Sequence, residues 1–307
     1  MFEAFQFGPM TIWIRVIFLL IAIWMSTEFF IRLAGSAGLS LEHIRDYALW
    51  HLVAFILGGR GVAILSDYQS YLRHWFRVFI VWDGNFNFIG AALGIAIVLF
   101  YSTSKQRATF LQWLDVLLPA VTFGLVFDWL GMFFGAQAYG KPTNVFWGVI
   151  YSTFDVRYTV PVHPVQLYYA LFYATLTFVL LLVRSHSKRA GAETLFGIFM
   201  AGFAVFFFEF LRGDFGIPVF AMLTDFVFLA SLFISLGVLA LIEQAMTPRT
   251  NLIYTIIVAL LTIAYVSTRS WWDLPQYQLR FSQVLAILAL LASVVYVVVH
   301  RRKYPHL

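Results

Sequence analysis

The 307-residue chain has no cysteine. Disulfides, thiol nucleophiles and cysteine-ligated metals are therefore excluded from its chemistry. Charge is scarce too: Asp, Glu, Lys and Arg make up 11% of the residues, where a soluble domain carries about a quarter. That scarcity excludes an ordinary water-solvated surface. The formal balance of +5 suits loops facing anionic lipid and gives no reason to invoke nucleic acid. The first apolar run has neither a basic leader nor a small-residue cleavage site, so it reads as a retained helix.

Hydrophobic residues fill the space that charge leaves. They account for 62% of the chain, with 34 Phe and 10 Trp, and the mean hydropathy is +0.84. This is the composition of an integral membrane protein with aromatic belts at the interfaces. A spanning helix needs about 20 apolar residues, and nine candidates follow one another: 10–33, 44–65, 86–101, 110–134, 164–183, 195–211, 219–242, 252–266 and 281–300. No internal repeat and no low-complexity linker divides them, which disfavours a transporter built from inverted halves. The expectation is an all-α, polytopic transmembrane bundle of about nine helices.

The basic residues orient this bundle. With the amino terminus outside, the inner side holds Arg32, Arg45, Lys105, Arg107, Arg184, Lys188, Arg189, Arg249, Arg301, Arg302 and Lys303. The outer side keeps Arg73, Arg77, Lys141, Arg157, Arg269 and Arg280, offset by Asp67, Asp83, Asp155 and Asp273. The long connection 135–162 then lies outside, and a loop of that length in a compact bundle is usually functional.

Ionisable groups within apolar runs are costly and mark partners or wet cavities. Arg60, among Gly58, Gly59 and Gly61, reads either as a phosphate-gripping cation or as half of an ion pair with Asp128 or Glu209. Asp128, beside Trp129, is either a proton acceptor or one member of a structural pair. Glu209 and Arg212 are three residues apart and share a helical face. His163 precedes Pro164, a helix-starting proline. At the cap position it is either an interfacial histidine bonded to backbone or a general base. No second histidine stands at a ligand spacing from it, so neither metal nor other cofactor is expected.

These motifs, in this order, resemble one family. Gly59-Arg60 is similar to an early Gly-x-Arg element, and Asp115 with Pro119-Ala120 to an Asp…Pro-Ala helix. Tyr139-Gly140-Lys141-Pro142-Thr143 and Trp147-Gly148 resemble a Tyr-Gly-Arg-Pro-Thr loop. His163-Pro164-Val165-Gln166-Leu167-Tyr168 resembles His-Pro-Ser/Thr-Gln-Leu-Tyr-Glu, and Glu209-Phe210-Leu211-Arg212 resembles Glu-Phe-x-Arg. The family is that of the prolipoprotein diacylglyceryl transferases. They move a diacylglyceryl group from phosphatidylglycerol to a lipobox cysteine in the bacterial inner membrane.

The resemblance implies the family fold and a head-group site at Arg60, Gln137, Tyr139, Gly140, Glu209 and Arg212, with His163 as a displaced base. It also implies losses. The general-base histidine of the family falls on Ile89. The signature Gly-Arg-x-Gly-Asn-x-x-Asn-Gly-Glu keeps Gly131 but places Trp129 at its arginine, Met132 at its asparagine and Gln137 at its glutamate. A second arginine falls on Val205, a tyrosine on Ala201 and a glutamate on Tyr169. Two functions stay open: the family reaction, or a degenerate relative that binds phospholipid or lipoprotein or serves as a subunit of a membrane complex. The resemblance implies a seven-helix family domain over 1–245 and leaves 246–307 as an additional C-terminal hairpin, which with its Trp271-Trp272 loop is either an anchor or a docking surface.

Overall fold

The computed structural model describes residues 4–7, 10–79, 86–103, 107–152, 156–187, 189–214, 221–242, 248–272 and 277–303. Among the charges used for orientation, Asp83, Lys105, Asp155, Lys188 and Asp273 lie outside these residues.

Long helices form where the apolar runs were read. They are α1 (Ile14–Ser36), α3 (Ala48–Ser66), α5 (Phe88–Ser102), α6 (Arg107–Phe134), α7 (Val165–His186), α8 (Ala192–Leu211), α9 (Leu223–Ile242), α10 (Pro248–Thr268) and α11 (Phe281–Lys303). Two short helices, α2 (Leu41–Asp46) and α4 (Tyr68–Arg73), flank α3. Six helices of the described residues are long and apolar enough to cross a membrane, and α5, α9 and α11 contribute shorter apolar stretches. The chain is an all-α, multi-pass membrane protein.

Most helix ends shift by a few residues from the sequence reading, and two of the shifts change what a segment is. The first run was placed from residue 10, but Met10–Trp13 forms β2 and pairs with β1 (Ala4–Phe7), using β-branched and aromatic residues that suit a ladder. Helix α7 starts one residue later than expected. Pro164 itself is the cap (φ −77, ψ 67), and His163 precedes it.

The contact map divides the chain into two compact units, Met1–Ile217 and Pro218–Leu307. In the first, α6 is the central element. Its Trp113, Val116, Leu117, Val121 and Leu125 share a buried core with Ala22 and Leu33 of α1, Phe88 and Leu99 of α5, and Tyr169, Tyr173, Leu176 and Leu180 of α7. Helix α5 lies tight on α3 because small residues face each other there. A Cβ on Gly94 would strike the Ala54 carbonyl, and one on Gly58 would strike that of Gly90, a small-xxx-small crossing. Asn87 starts α5 by accepting from the Gly90 amide at 2.9 Å.

A proline inside α6 produces a polar knot at the other end of α7. Pro119 has no N–H, so the Asp115 carbonyl loses its helical donor. Arg184 Nη2 of α7 supplies one at 2.6 Å, while its Nε pairs with Glu193 Oε1 at 2.8 Å. The Asp115 carboxylate meanwhile accepts from the Gly191 amide (2.5 Å) and from the Thr194 amide and hydroxyl (2.9 and 2.7 Å). It thereby caps α8 from a different helix.

In the second unit, β3 (Ala221–Met222) pairs with β4 (Gln278–Leu279). Helices α9 and α10 are joined by Tyr254 Oη to Ser235 Oγ at 2.7 Å and by Tyr265 Oη to Asp225 Oδ1 at 2.6 Å. Arg269 also pairs with Asp225.

Candidate functional site

Helix α6 ends in a turn whose residues cannot all be comfortable. Ala136 and Ala138 both stand at φ +52, a region where a Cβ crowds the backbone. The turn redirects the chain so that 139–141 runs between two other segments. On one side the Gly140 amide donates to the His163 carbonyl and the His163 amide to that of Lys141, both at 3.0 Å. On the other the Lys141 amide donates to Leu211 O and the Gly213 amide to Tyr139 O, both at 2.8 Å. Such close approach requires glycine. A Cβ on Gly140 would strike the His163 carbonyl, and one on Gly213 would strike that of Gly140. The end of α6, the start of α7 and the end of α8 are thus stitched together, which brings Gln137, Tyr139, Gly140, His163, Glu209 and Arg212 to one end of the bundle.

Arg212 lies between two carboxylates. Its Nη1 bonds Glu209 Oε1 at 2.8 Å, its Nε bonds Asp214 Oδ1 at 3.1 Å and its Nη2 bonds Asp214 Oδ2 at 2.5 Å. The side chain is 13% exposed. Burial pulls the guanidinium pKa down, but Glu209 and Asp214 outweigh it, so the net displacement is upward and the group stays charged.

Behind them is an aromatic wall. The Trp129 indole stacks on the Tyr169 ring, with centroids 3.9 Å apart and planes 11° from parallel, and Phe208 meets Tyr169 edge-on at 5.1 Å. Tyr169 Oη donates to Glu209 Oε1 at 3.2 Å and lies 3.5 Å from the Val205 carbonyl. Trp129, Val205 and Tyr169, three positions where the resemblance placed charged residues, therefore converge on one spot. Asp128, next along α6, is buried and has Arg15 of α1 as its electrostatic partner.

The remaining polar groups form a chain along the stitched segments. His163 Nδ1 is 3.1 Å from Tyr168 Oη, which accepts from Trp147 Nε1 at 2.6 Å. Gln166 Nε2 donates to the Gln137 carbonyl at 2.5 Å, and Gln166 Oε1 accepts from Tyr151 Oη at 3.4 Å. Burial pushes the Tyr151 phenol up to about 12, with the Gln166 hydrogen bond opposing it, so it serves as a neutral donor. Tyr139 Oη accepts from the Arg157 amide at 3.4 Å.

Other sequence candidates lie elsewhere. Arg60, buried on α3, donates from Nη2 to the Arg77 carbonyl at 2.7 Å and sits 5.3 Å from the Tyr71 ring centroid. Ile89 is 41% exposed on α5. Met132 is half-buried on α6, and its carbonyl accepts from the Gln137 amide. Among the described residues no group of three His, Asp or Glu side chains is placed to hold a metal ion. Sequence reading missed Arg15 and Asp214 as partners. Asp214 had a signal in the short Arg-Gly-Asp spacing, but nothing local connects residue 15 to residue 128.

A family model described as prolipoprotein diacylglyceryl transferase matches residues 3–243. The chain is similar to the phosphatidylglycerol–prolipoprotein diacylglyceryl transferase of Pseudoalteromonas atlantica, 32% identical over 216 residues, 68% of this chain and 74% of that protein. It is also similar to that of Geobacter sulfurreducens, 33% identical over 186 residues, 59% of this chain and 70% of that protein. The match spans the same stitched segments that hold the polar cluster. The chain belongs to the prolipoprotein diacylglyceryl transferase family.

Proposed function

We propose that this chain keeps the family fold to bind lipid or lipoprotein, or to assemble with other membrane subunits, and that it has given up the transfer reaction. The carrying observation is the Trp129–Tyr169 stack beside an Arg212 shared by two carboxylates. Transfer requires a base to raise the thiolate fraction of the acceptor cysteine and cations to stabilise the departing glycerol phosphate. Ile89 takes no proton. Trp129 and Val205 carry no charge, and Glu209 with Asp214 already neutralises Arg212. One donor to developing negative charge is typically worth about 2.7–4 kcal/mol of barrier, so the loss of several leaves little rate.

The ligand class in this reading is a phosphatidylglycerol-like phospholipid or a lipidated protein segment, met at Gln137, Tyr139, Gly140, Glu209 and Arg212, with Arg60 as a separate cation. The bacterial inner membrane, an outside amino terminus, and a division into a family domain (1–245) and an appended hairpin (246–307) belong to the same proposal.

The second reading is the reaction named for the relatives, transfer from phosphatidylglycerol to prolipoprotein. Family membership favours it, as does His163 within hydrogen-bond distance of Tyr168. Complementation decides between the two. The protein is expressed in a bacterium depleted of its own diacylglyceryl transferase, and lipidation of a reporter lipoprotein is followed. The expected result is no lipidation despite full membrane expression. Lipidation abolished by His163→Ala or Arg60→Ala overturns the proposal and assigns the chemistry to relocated residues.

A further inference from the structure

The connection between α6 and α7 carries large exposed apolar side chains, of which the site above uses only the Trp147 N–H. Phe146 is 93% exposed, and Trp147, Ile150 and Val160 are exposed beside it. These residues sit on an ordered frame. The Thr143 amide donates to the Pro161 carbonyl at 2.9 Å, Val149 and Val162 exchange both of their backbone hydrogen bonds at 3.0 Å, and a turn closes from the Gly148 amide to Val145 O at 3.0 Å. An apolar patch held on a fixed frame in water is uncommon and marks a contact surface.

The level of this patch identifies the contact. Trp147 Nε1 donates to Tyr168 Oη at 2.6 Å, and Tyr168 lies in the first turn of the spanning helix α7. On that helix Tyr168 shares a stripe with the exposed Leu171, Phe178 and Leu182, the face that meets lipid in a multi-pass protein. The Phe146 ring packs edge-on against Trp147 with centroids 4.5 Å apart. The patch therefore continues the lipid-facing stripe of α7 at the depth where the span begins. Tryptophan concentrates at that depth because its ring is apolar while its N–H needs a partner. Exposed Lys141 and Arg157 on the same connection supply cations for phosphates at head-group level.

We infer that Phe146, Trp147 and Ile150 form a wedge seated in the bilayer interface beside α7, holding the α6–α7 connection down on the membrane surface. The occupant of the patch is the head-group and upper acyl region of the bilayer, not another protein.

The absence of native cysteine makes the test direct. Phe146→Cys, Ile150→Cys and Asn144→Cys variants of the full chain are spin-labelled and reconstituted into phosphatidylethanolamine–phosphatidylglycerol vesicles. Power-saturation measurements then compare collision with oxygen and with a water-soluble nickel chelate. Residues 146 and 150 are expected to favour oxygen several-fold more than 144, a polar position exposed just before the turn. Labels at 146 and 150 that meet the nickel chelate as freely as the label at 144 overturn the inference. Two sites are used so that a misfolded variant at one leaves the other to decide.

Discussion

Trp129 and Tyr169 lie face to face, 3.9 Å apart between centroids and 11° from parallel. They come from neighbouring helices, and both occupy positions where the family resemblance implies a charged residue, an arginine on α6 and a glutamate on α7. Two stacked rings need no charge compensation, whereas a single charge placed against a ring in this site would stand without a counter-ion.

The stack should be measurable as coupling. Tyr169→Ala removes a fully buried ring, at an expected cost of about 3–5 kcal/mol, and Trp129→Ala a half-buried one, at a smaller cost. Thermal unfolding of the detergent-solubilised single and double variants should show non-additivity of about 0.5–1.5 kcal/mol, the range for aromatic pairs. Simple additivity would mean that the rings merely fill space independently.

Removing the cation between the carboxylates should be costly. Arg212→Ala leaves Glu209 and Asp214 facing each other without compensation, a loss of about 3–5 kcal/mol for a broken buried pair. Adding Glu209→Gln removes one of the opposed charges and should recover part of it. The melting temperatures of the two variants provide the check, with the double variant expected to be the more stable.

The left-handed alanines separate strain from burial. Ala138→Gly relieves a φ of +52 at a half-buried position. It should stabilise by about 0.5–1 kcal/mol, since relief of roughly 1–2 kcal/mol outweighs the entropy that glycine adds to the unfolded chain. Ala136→Gly should gain less, because its methyl is buried among Tyr139, Tyr151 and Val162.

Pro119 and Arg184 should also prove coupled. Arg184→Met orphans the Asp115 carbonyl and leaves Glu193 without its partner, at about 3 kcal/mol or more. In a Pro119→Ala background the helical N–H returns to that carbonyl, and the added cost of Arg184→Met should fall by about 1 kcal/mol. Chemical denaturation of the four variants gives this difference directly, and an unchanged cost would show that Arg184 acts through Glu193 alone.

Much of the fold was legible because a membrane span is a local property. The run of apolar side chains that forms α8 is readable without knowing what α8 touches, and so is the glycine content that lets α3 and α5 approach. The motifs single out Gln137, Tyr139, Gly140, His163, Glu209 and Arg212 as a candidate site, and the chain crossings at Gly140 bring them to one end of the bundle. One contact within that group was legible, since the spacing of three sets Glu209 beside Arg212; the partners from distant segments were not. Arg60 was weighed against Asp128 and Glu209, yet the structure sets Asp128 against Arg15, Glu209 against Tyr169 and Arg212, and Arg60 against Tyr71 and the Arg77 carbonyl.

The sequence by itself determined that the chain lives in a membrane, that it is helical, where its long helices run and which family it descends from. Each of these depends on composition or on spacing within one segment. Only the tertiary structure decided that Trp129 covers Tyr169, that Arg212 is held by two carboxylates, that Asp115 caps a helix 76 residues away, and that Phe146 stands on a fixed frame at the level of α7's first turn. Those outcomes depend on distances between segments far apart in the chain, and such distances are set by packing and by the need to satisfy every buried polar group at once.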